Sequence, residues 1–258
     1  MPRSSSRKRT EKRKIDSKKI PLPQPEKTRS SILQPLEPQT AGQELFLKAI
    51  QTKPIVICDG LAGTGKTFIS FGSALKAYLG DGEIEKIIIV RPTFTSGDEP
   101  ELGFLPGSLE DKMAPFVAPL LRDSAPLLLR KTRNSSDQRF VDKFGNGKDN
   151  VTTLLSQFDI EIIPLHLMRG RTFNFCFVIL DEAQNCSMED FKLFLTRIGK
   201  KCRVVIEGDS SQKDREDGSL PLLMKKLNNT DYVGLVKLDH TDIVRNPLIA
   251  DLIRKLDA

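Results

Sequence analysis

The 258-residue sequence predicts an α/β protein with a mainly parallel β-sheet that is flanked by helices on both faces. Short apolar runs of strand length alternate with segments of helical periodicity, which is the pattern of parallel strands buried on both sides. A glycine-rich loop joins the first run to a helical segment, and acidic residues directly follow two later runs. Parallel sheets bind ligands at the carboxyl ends of their strands, so a binding site is expected at that edge.

Residues 1–40 precede this pattern and are predicted to be a disordered basic arm followed by an extended linker. Residues 1–30 contain 11 Lys or Arg and three acids, a net charge of +8, so the other residues carry −2 of the total of +6. Five prolines fall within residues 21–38. The arm is suited to electrostatic contact with nucleic acid, and equally to a solubilising role or a nuclear address.

Residues 41–258 are predicted to form a single domain. Each predicted strand is a short run rich in β-branched residues, and most of the predicted helices repeat their apolar residues at helical spacing. Strands are predicted at 54–60, 86–92, 159–165, 173–181, 203–209 and 234–239. Helices are predicted at 42–50, 67–80, 108–123, 188–199 and 246–258.

Composition argues against several other classes of protein. No apolar run approaches the length of a membrane span, and the N-terminal residues lack the apolar core of a secretory signal. The four cysteines and two histidines do not show the spacing of a zinc site. We therefore expect a cytoplasmic protein with reduced thiols and no membrane partner.

Residues 60–67, GLAGTGKT, fit the G-x-x-x-x-G-K-[ST] pattern of a phosphate-binding loop between a strand and a helix. The glycines let the backbone curl around an anion, and the helix dipole adds to the attraction. Lys66 is expected to reach the β- and γ-phosphates of a nucleotide, and Thr67 to bind Mg²⁺. The alternative is a glycine-rich turn with an exposed lysine. The predicted nucleotide-binding residues of this segment are Gly60, Leu61, Ala62, Gly63, Thr64, Gly65, Lys66, Thr67 and Phe68.

Asp181 and Glu182 follow four apolar residues at the end of a predicted strand, as in the Walker B element of nucleoside triphosphatases. Asp181 is expected to hold Mg²⁺, and Glu182 to orient or deprotonate the attacking water. The alternative is a polar first turn of a helix. One strand later, VVIEGDSSQ places Gln212 where an amide can sense the γ-phosphate or that water, with a polar turn as the alternative.

These motifs occur in order with IVRP, LGFLPG, MRGRT, LTRIG and DIVRNPLI. The set resembles the PhoH-like family of P-loop ATPases, which is related to superfamily 1 helicases, over about residues 40–258. The resemblance implies one RecA-like domain, hydrolysis of ATP with Mg²⁺, and a role with RNA or single-stranded nucleic acid. It also implies that Arg245 is a functional arginine and that Gln43 takes the place of the adenine-reading glutamine of related helicases. Leu61 departs from the family, in which proline is usual.

The number of residues leads to a hypothesis about assembly. Superfamily 1 helicases hydrolyse ATP between two RecA-like domains, and the 50 residues after Gly208 are too few for a second one. A neighbouring subunit is then expected to supply an arginine to the site, and contacts of this kind close into rings. We expect a homo-oligomeric ring, with a hexamer as the leading case. The candidate arginines are Arg169, Arg171, Arg197 and Arg245.

Two further expectations about arginines follow from the strand pattern. Arg91 ends a strand at the ligand-binding edge and is expected to contact nucleic acid, phosphate or an acid. Arg169 and Arg171 precede the strand that ends at Asp181. A strand of about eight residues spans roughly 26 Å, so these two arginines are expected near the opposite edge of the sheet.

The leading hypothesis is therefore a Mg²⁺-dependent ATPase, with helicase-like features, that acts on or with RNA or single-stranded DNA. The second is an ATP-gated module that binds nucleic acid or protein with little turnover. Glu182 and Gln212 favour hydrolysis, because a switch does not need both. A small-molecule kinase is the third, and the DEAQ and GDSSQ segments argue against it.

Overall fold

Six parallel strands form one sheet in the computed structural model, which describes residues 33–80, 82–92, 158–212 and 218–244 and positions 124, 128 and 155. The strands are β1 (Ile55–Gly60), β2 (Lys86–Arg91), β3 (Ile160–Pro164), β4 (Cys176–Leu180), β5 (Arg203–Gly208) and β6 (Val233–Leu238). Their spatial order is β3-β2-β4-β5-β1-β6, and every neighbouring pair is parallel. The predicted mainly parallel α/β fold is confirmed.

Helices cover both faces of this sheet. They are α1 (Ala41–Thr52), α2 (Lys66–Gly80), α3 (Met188–Leu195) and α4 (Leu220–Leu227). The side chain of Thr40 accepts a hydrogen bond from the Gln43 amide at the start of α1, and Ser187 and Asp190 form a capping box at the start of α3. Such caps satisfy backbone donors that a helix leaves unpaired at its first turn. In the parts of the chain given above, no helix is long and apolar enough to cross a membrane.

Alternate residues of the central strands pack into two separate apolar layers. Ile87 and Ile89 of β2 belong to the layer beneath α1 and α2, whereas Ile88 and Val90 belong to the layer beneath α3 and α4. All five residues of β4 are buried. Strands buried on both faces need apolar side chains at every position, which explains why the strands were visible as unbroken apolar runs.

Two predicted elements are shorter than expected for a common reason. Helix α3 ends at Leu195 rather than Gly199, and β4 begins at Cys176 rather than Phe173. The amide of Phe173 donates to the Arg197 carbonyl, and the amide of Gly199 donates to the Phe173 carbonyl. The backbone groups of Phe173 thus pair with those of residues 197 and 199, so they are not available to continue either the helix or the strand.

Several sequence predictions fall outside the described residues. They are the basic arm with the first part of the linker, up to residue 32, and the helices at 108–123 and 246–258. The other two helix predictions, at 42–50 and 67–80, correspond closely to α1 and α2.

Candidate nucleotide-binding site

The loop between β1 and α2 has the backbone conformation that its sequence predicts. Gly63 and Gly65 have φ angles of 82° and 78°, in the left-handed region that favours glycine. Helix α2 begins directly after the loop, at Lys66. A curled loop that leads into a helix N-terminus presents backbone N–H groups and a positive dipole end to an anion.

Lys66 lies across its own loop. Its Nζ donates to the carbonyl oxygens of Gly60 at 2.6 Å and Leu61 at 3.0 Å. To contact a bound phosphate, the ammonium group exchanges these carbonyls for phosphate oxygens. Thr67 follows at a partly exposed position, and the side chain of Phe68 packs against the apolar layer beneath α1 and α2. Phe68 can therefore contribute to a phosphate site through its backbone rather than its ring.

Two segments outside the loop fix its backbone. The buried Gln43 donates its Nε2 to the carbonyl of Thr64 at 2.9 Å and accepts the Gln39 amide at 2.8 Å. The amide of Val244 donates to the carbonyl of Gly63 at 3.1 Å. Gln43 thus braces the phosphate loop, and its predicted contact with adenine stays a prediction.

Arg245, predicted to be functional, lies outside the described residues. Its neighbour Val244 is bonded to the phosphate loop, and the turn before it is held by the buried carboxylate of Asp242. That carboxylate accepts hydrogen bonds from the hydroxyl of Thr40, the amide of Gly42 and the amide of Asp239. Residue 244 is therefore anchored beside the loop.

Arg91 forms ion pairs with both predicted Walker B acids. Its Nε and Nη2 lie 2.9 and 2.8 Å from Oδ2 of Asp181, and Nη2 lies 3.2 Å from Oε1 of Glu182. The Asp181 side chain is 8% exposed and the Glu182 side chain 46% exposed. The expected contact of Arg91 with an acid is therefore present, and its expected contacts with phosphate and nucleic acid stay predictions. Arg91 and the acids meet because β2 and β4 are neighbours that end at the same edge.

Glu182 is held by a buried glutamine that the sequence reasoning missed. Glu182 has a left-handed backbone conformation with φ of 56°, which turns the chain sharply after β4. Gln184 donates its Nε2 to Oε2 of Glu182 at 2.7 Å and accepts the amide of Asp209 at 3.0 Å. Its position two residues after Glu182 in DEAQ was the available signal, but spacing alone does not show that a glutamine points inward.

The loop after β5 is bonded to the phosphate loop. Asp209 accepts the amide of Ala62 at 2.7 Å, and Ser210 donates its amide and hydroxyl to the two carboxylate oxygens of Asp59. Gln212 is exposed in this loop, and its amide donates to the carbonyl of Asp209. Because β5 lies between β1 and β4, this loop sits between the phosphate loop and the Walker B acids.

Glu207 is a second residue that the sequence reasoning missed. It lies on β5 with no exposed surface, and neither carboxylate oxygen forms a hydrogen bond of normal geometry with the described residues, although the nearby hydroxyls of Ser70 and Thr67 act to lower its pKa. Burial raises the pKa of this carboxyl to about 8, and the negative charge of Asp181 adds to the shift. The signal was a charged residue inside an otherwise apolar central strand.

Of the other candidate arginines, Arg171 and Arg197 lie away from the phosphate-loop edge. Nη2 of Arg171 is 2.6 Å from Oε1 of Glu161, near the start of β3, and its guanidinium carbon is 4.8 Å from the ring centroid of Phe173. Arg169 is exposed, and Arg197 donates to the hydroxyl of Thr196 at 3.3 Å. The position of Arg171 agrees with the expectation that it lies at the opposite edge of the sheet.

The residues at the loop edge fit a magnesium ion bound together with nucleotide phosphates. Thr67 and Asp181 offer a hydroxyl and a carboxylate, the hard oxygen donors that Mg²⁺ prefers. Within the described ranges, no group of three or more His, Cys, Asp or Glu side chains is arranged to hold a metal alone. Mg²⁺ in nucleotide sites commonly uses one or two carboxylates, phosphates and water, so two protein ligands suffice.

The fold and the site define a P-loop nucleotide-binding protein. The family model described as "PhoH-like protein" matches residues 35–257, and the chain belongs to this family. The chain is 37% identical over 222 residues to the PhoH-like protein of Bacillus subtilis (strain 168), covering 85% of this chain and 63% of that protein. It is 34% identical over 217 residues to Protein PhoH of Escherichia coli (strain K12), covering 83% and 56%.

The chain thus spans about three fifths of the length of these relatives. Among solved structures, it is similar to the large terminase of a thermophilic bacteriophage, with a TM-score of 0.47 and 13% identity. That likeness covers 85% of this chain and 50% of the terminase chain.

Proposed function

We propose that the protein is a Mg²⁺-dependent ATPase that acts with RNA or single-stranded DNA and assembles as a homo-oligomeric ring. The observation that supports hydrolysis best is the bond from Gln184 to Glu182, 2.7 Å long, because it orients a carboxylate at the same edge of the sheet as the phosphate loop. A protein that only binds nucleotide needs no such oriented acid.

Each residue of the site has a distinct role in this proposal. Lys66 binds the β- and γ-phosphates, and Thr67 and Asp181 supply oxygen ligands for Mg²⁺. Mg²⁺, when bound, neutralises charge on the phosphates. Glu182 orients the attacking water and accepts its proton, and Gln212 senses the γ-phosphate from the neighbouring loop.

The test is an ATPase assay on the purified protein with Mg²⁺. Lys66→Ala is expected to lose nucleotide binding and turnover together. Glu182→Gln is expected to bind ATP normally and to lose about 100-fold or more in turnover, the lower range for a general base. Lys201→Gln is the matched control, because Lys201 pairs with Glu83 just before the start of β5, at the other edge of the sheet. Equal turnover in Glu182→Gln and the unaltered protein would refute the assignment of Glu182.

Nucleic acid and assembly are tested in the same assay. Addition of single-stranded RNA or DNA is expected to stimulate turnover several-fold, and removal of residues 1–32 to reduce any salt-sensitive stimulation by the basic arm. Light scattering with ATP and Mg²⁺ reports the oligomer. An arginine supplied by a neighbour raises rates by about 10³–10⁵, so a strict monomer with full activity would refute the ring.

The second candidate is an ATP-gated binding module, favoured by the ion pairs of Arg91. In this arrangement one guanidinium of the protein already pairs with both Walker B acids and occupies the position of a competing cation. If Arg91 keeps that position with nucleotide bound, the protein binds ATP but turns it over slowly. Stoichiometric ATP binding with turnover indifferent to Glu182→Gln and to nucleic acid would favour this candidate.

A further inference from the structure

Glu207 is a buried acid whose carboxylate forms no ion pair among the described residues. It has no exposed surface, and neither of its carboxylate oxygens forms a hydrogen bond of normal geometry with those residues. Its neighbours in the strand, Val205 and Ile206, are apolar, as expected for a central parallel strand. A buried carboxyl without hydrogen bonds destabilises a fold by a free energy that an apolar side chain avoids. Groups of this kind are concentrated at functional sites.

The side chain of Glu207 belongs to the phosphate-loop side of the sheet. Val205 lies in the apolar layer beneath α1 and α2, and Ile206 in the opposite layer, so alternation returns Glu207 to the α2 side. Leu180 of β4 is in register with Ile206, which places Asp181 beside Glu207. The charge of Asp181 acts on the pKa of Glu207, which agrees with their proximity.

The first turn of α2 covers the same point. The hydroxyls of Ser70 and Thr67 and the ammonium group of Lys66 all act on the pKa of the Glu207 carboxyl, in the direction opposite to that of Asp181. Helix α2 begins at Lys66 and packs against both β4 and β5, so its first turn lies on the same side of the sheet as Glu207 and Asp181, next to the phosphate loop. Thr67 and Asp181 are the two of these residues that are expected to bind the metal.

We propose that Glu207 is a positioning residue for the divalent cation, accepting hydrogen bonds from the Thr67 hydroxyl and from metal-bound water. This inference rests on the proposed function, because it requires a cation at Thr67 and Asp181. Glu207 lies below these two residues without surface exposure, so it acts through them and through water rather than as a direct ligand. Residues that orient metal ligands in this way typically change metal affinity by about 10- to 100-fold.

The experiment measures Mn²⁺ binding by electron paramagnetic resonance, with ADP present and no hydrolysis. Glu207→Met, which removes the accepting oxygens, is expected to weaken Mn²⁺ binding by about 10-fold or more, and Glu207→Gln, which keeps one accepting oxygen, by less. Met keeps the approximate volume without hydrogen bonding, so it provides a second variant if Gln is poorly folded. Glu161→Gln is the matched control, since Glu161 pairs with Arg171 at the opposite edge, and its Mn²⁺ affinity should be unchanged.

A second readout separates positioning from a merely structural role. ADP binding in excess chelator should be the same in the Glu207 variants as in the unaltered protein, because the phosphate loop is intact. Loss of metal-free ADP binding in both variants would overturn the proposal in favour of a structural role. Unchanged Mn²⁺ affinity in both, with weakened binding in Asp181→Asn, would overturn the proposal for Glu207 alone. Unchanged affinity in Asp181→Asn would overturn the proposed metal site as well.

Discussion

Removal of Arg91 should destabilise the protein mainly through Asp181 rather than through Glu182. Both carboxylates contact the same guanidinium, but the Asp181 side chain is 8% exposed and the Glu182 side chain 46% exposed. Breaking a buried ion pair by removing one partner costs about 3–5 kcal/mol, whereas an exposed pair contributes about 0–1 kcal/mol. The Arg91 side chain is one-fifth exposed, and solvent reduces the larger figure. We expect Arg91→Met to lower the free energy of unfolding by about 2–4 kcal/mol.

Double-mutant cycles measure the two contributions separately. Urea unfolding without nucleotide or metal gives the free energies for Arg91→Met, Asp181→Asn, Glu182→Gln and the two pairwise combinations. The coupling energy between Arg91 and Asp181 should be about 1.5–3 kcal/mol, and that between Arg91 and Glu182 below about 1 kcal/mol. Arg171→Met, which breaks an exposed pair with Glu161, is the control and should change stability by less than about 1 kcal/mol. Equal coupling to both acids, or none to Asp181, would refute the reasoning from burial.

Three further outcomes can be checked on the same protein. The folded-state pKa of Glu207, raised to about 8 from its ordinary 4.5, means that the folded chain keeps a proton that the unfolded chain releases. The free energy of unfolding of the unaltered protein therefore falls as pH rises from about 5 to about 9. Over that range, Glu207→Gln should gain up to about 5 kcal/mol in stability relative to the unaltered protein in urea unfolding. A stability difference between the two proteins that does not change with pH would contradict this. Gly208→Ala should destabilise by about 1–3 kcal/mol, because a Cβ there would meet the Gln184 backbone nitrogen at 2.7 Å, whereas Gly80→Ala meets nothing within 4 Å and should be neutral or stabilising in thermal unfolding. The neighbouring Cys176 thiol and nearby backbone N–H groups lower the pKa of Cys202, so iodoacetamide at about pH 7 should alkylate the partly exposed Cys202 well before the buried Cys58. Equal rates for the two thiols in peptide mapping would contradict that direction.

The strands were predictable because burial on both faces leaves an unbroken apolar run in the sequence. The run KIIIV of β2, for example, has four consecutive fully covered residues. The order of the strands was not predictable in the same way, because neighbouring apolar strands present similar edges to one another. The insertion of β5 between β1 and β4 depends on how the helices pack over the sheet, and it determines which loops meet.

The site was predictable where function follows from backbone position, and less so where it depends on side-chain direction. The phosphate loop and the acids at strand ends follow from the parallel sheet. Arg91 was placed at the correct edge, but the sequence left phosphate, nucleic acid and an acid as equal partners. Gln184 and Glu207 were missed because one follows a familiar acidic motif and the other interrupts an apolar strand by a single residue.

The hydrogen bonds around Gln184 connect two events that are usually considered separately. The Ala62 amide is bonded to Asp209, the Asp209 amide to Gln184, and Gln184 to Glu182. A phosphate that draws the Ala62 amide away from Asp209 therefore alters the support of the acid that is proposed to orient water. In the proposed function, phosphate binding to the loop and the orientation of Glu182 are then coupled. A loop without a correctly placed phosphate leaves the Glu182 carboxylate in a different orientation from the one that hydrolysis requires.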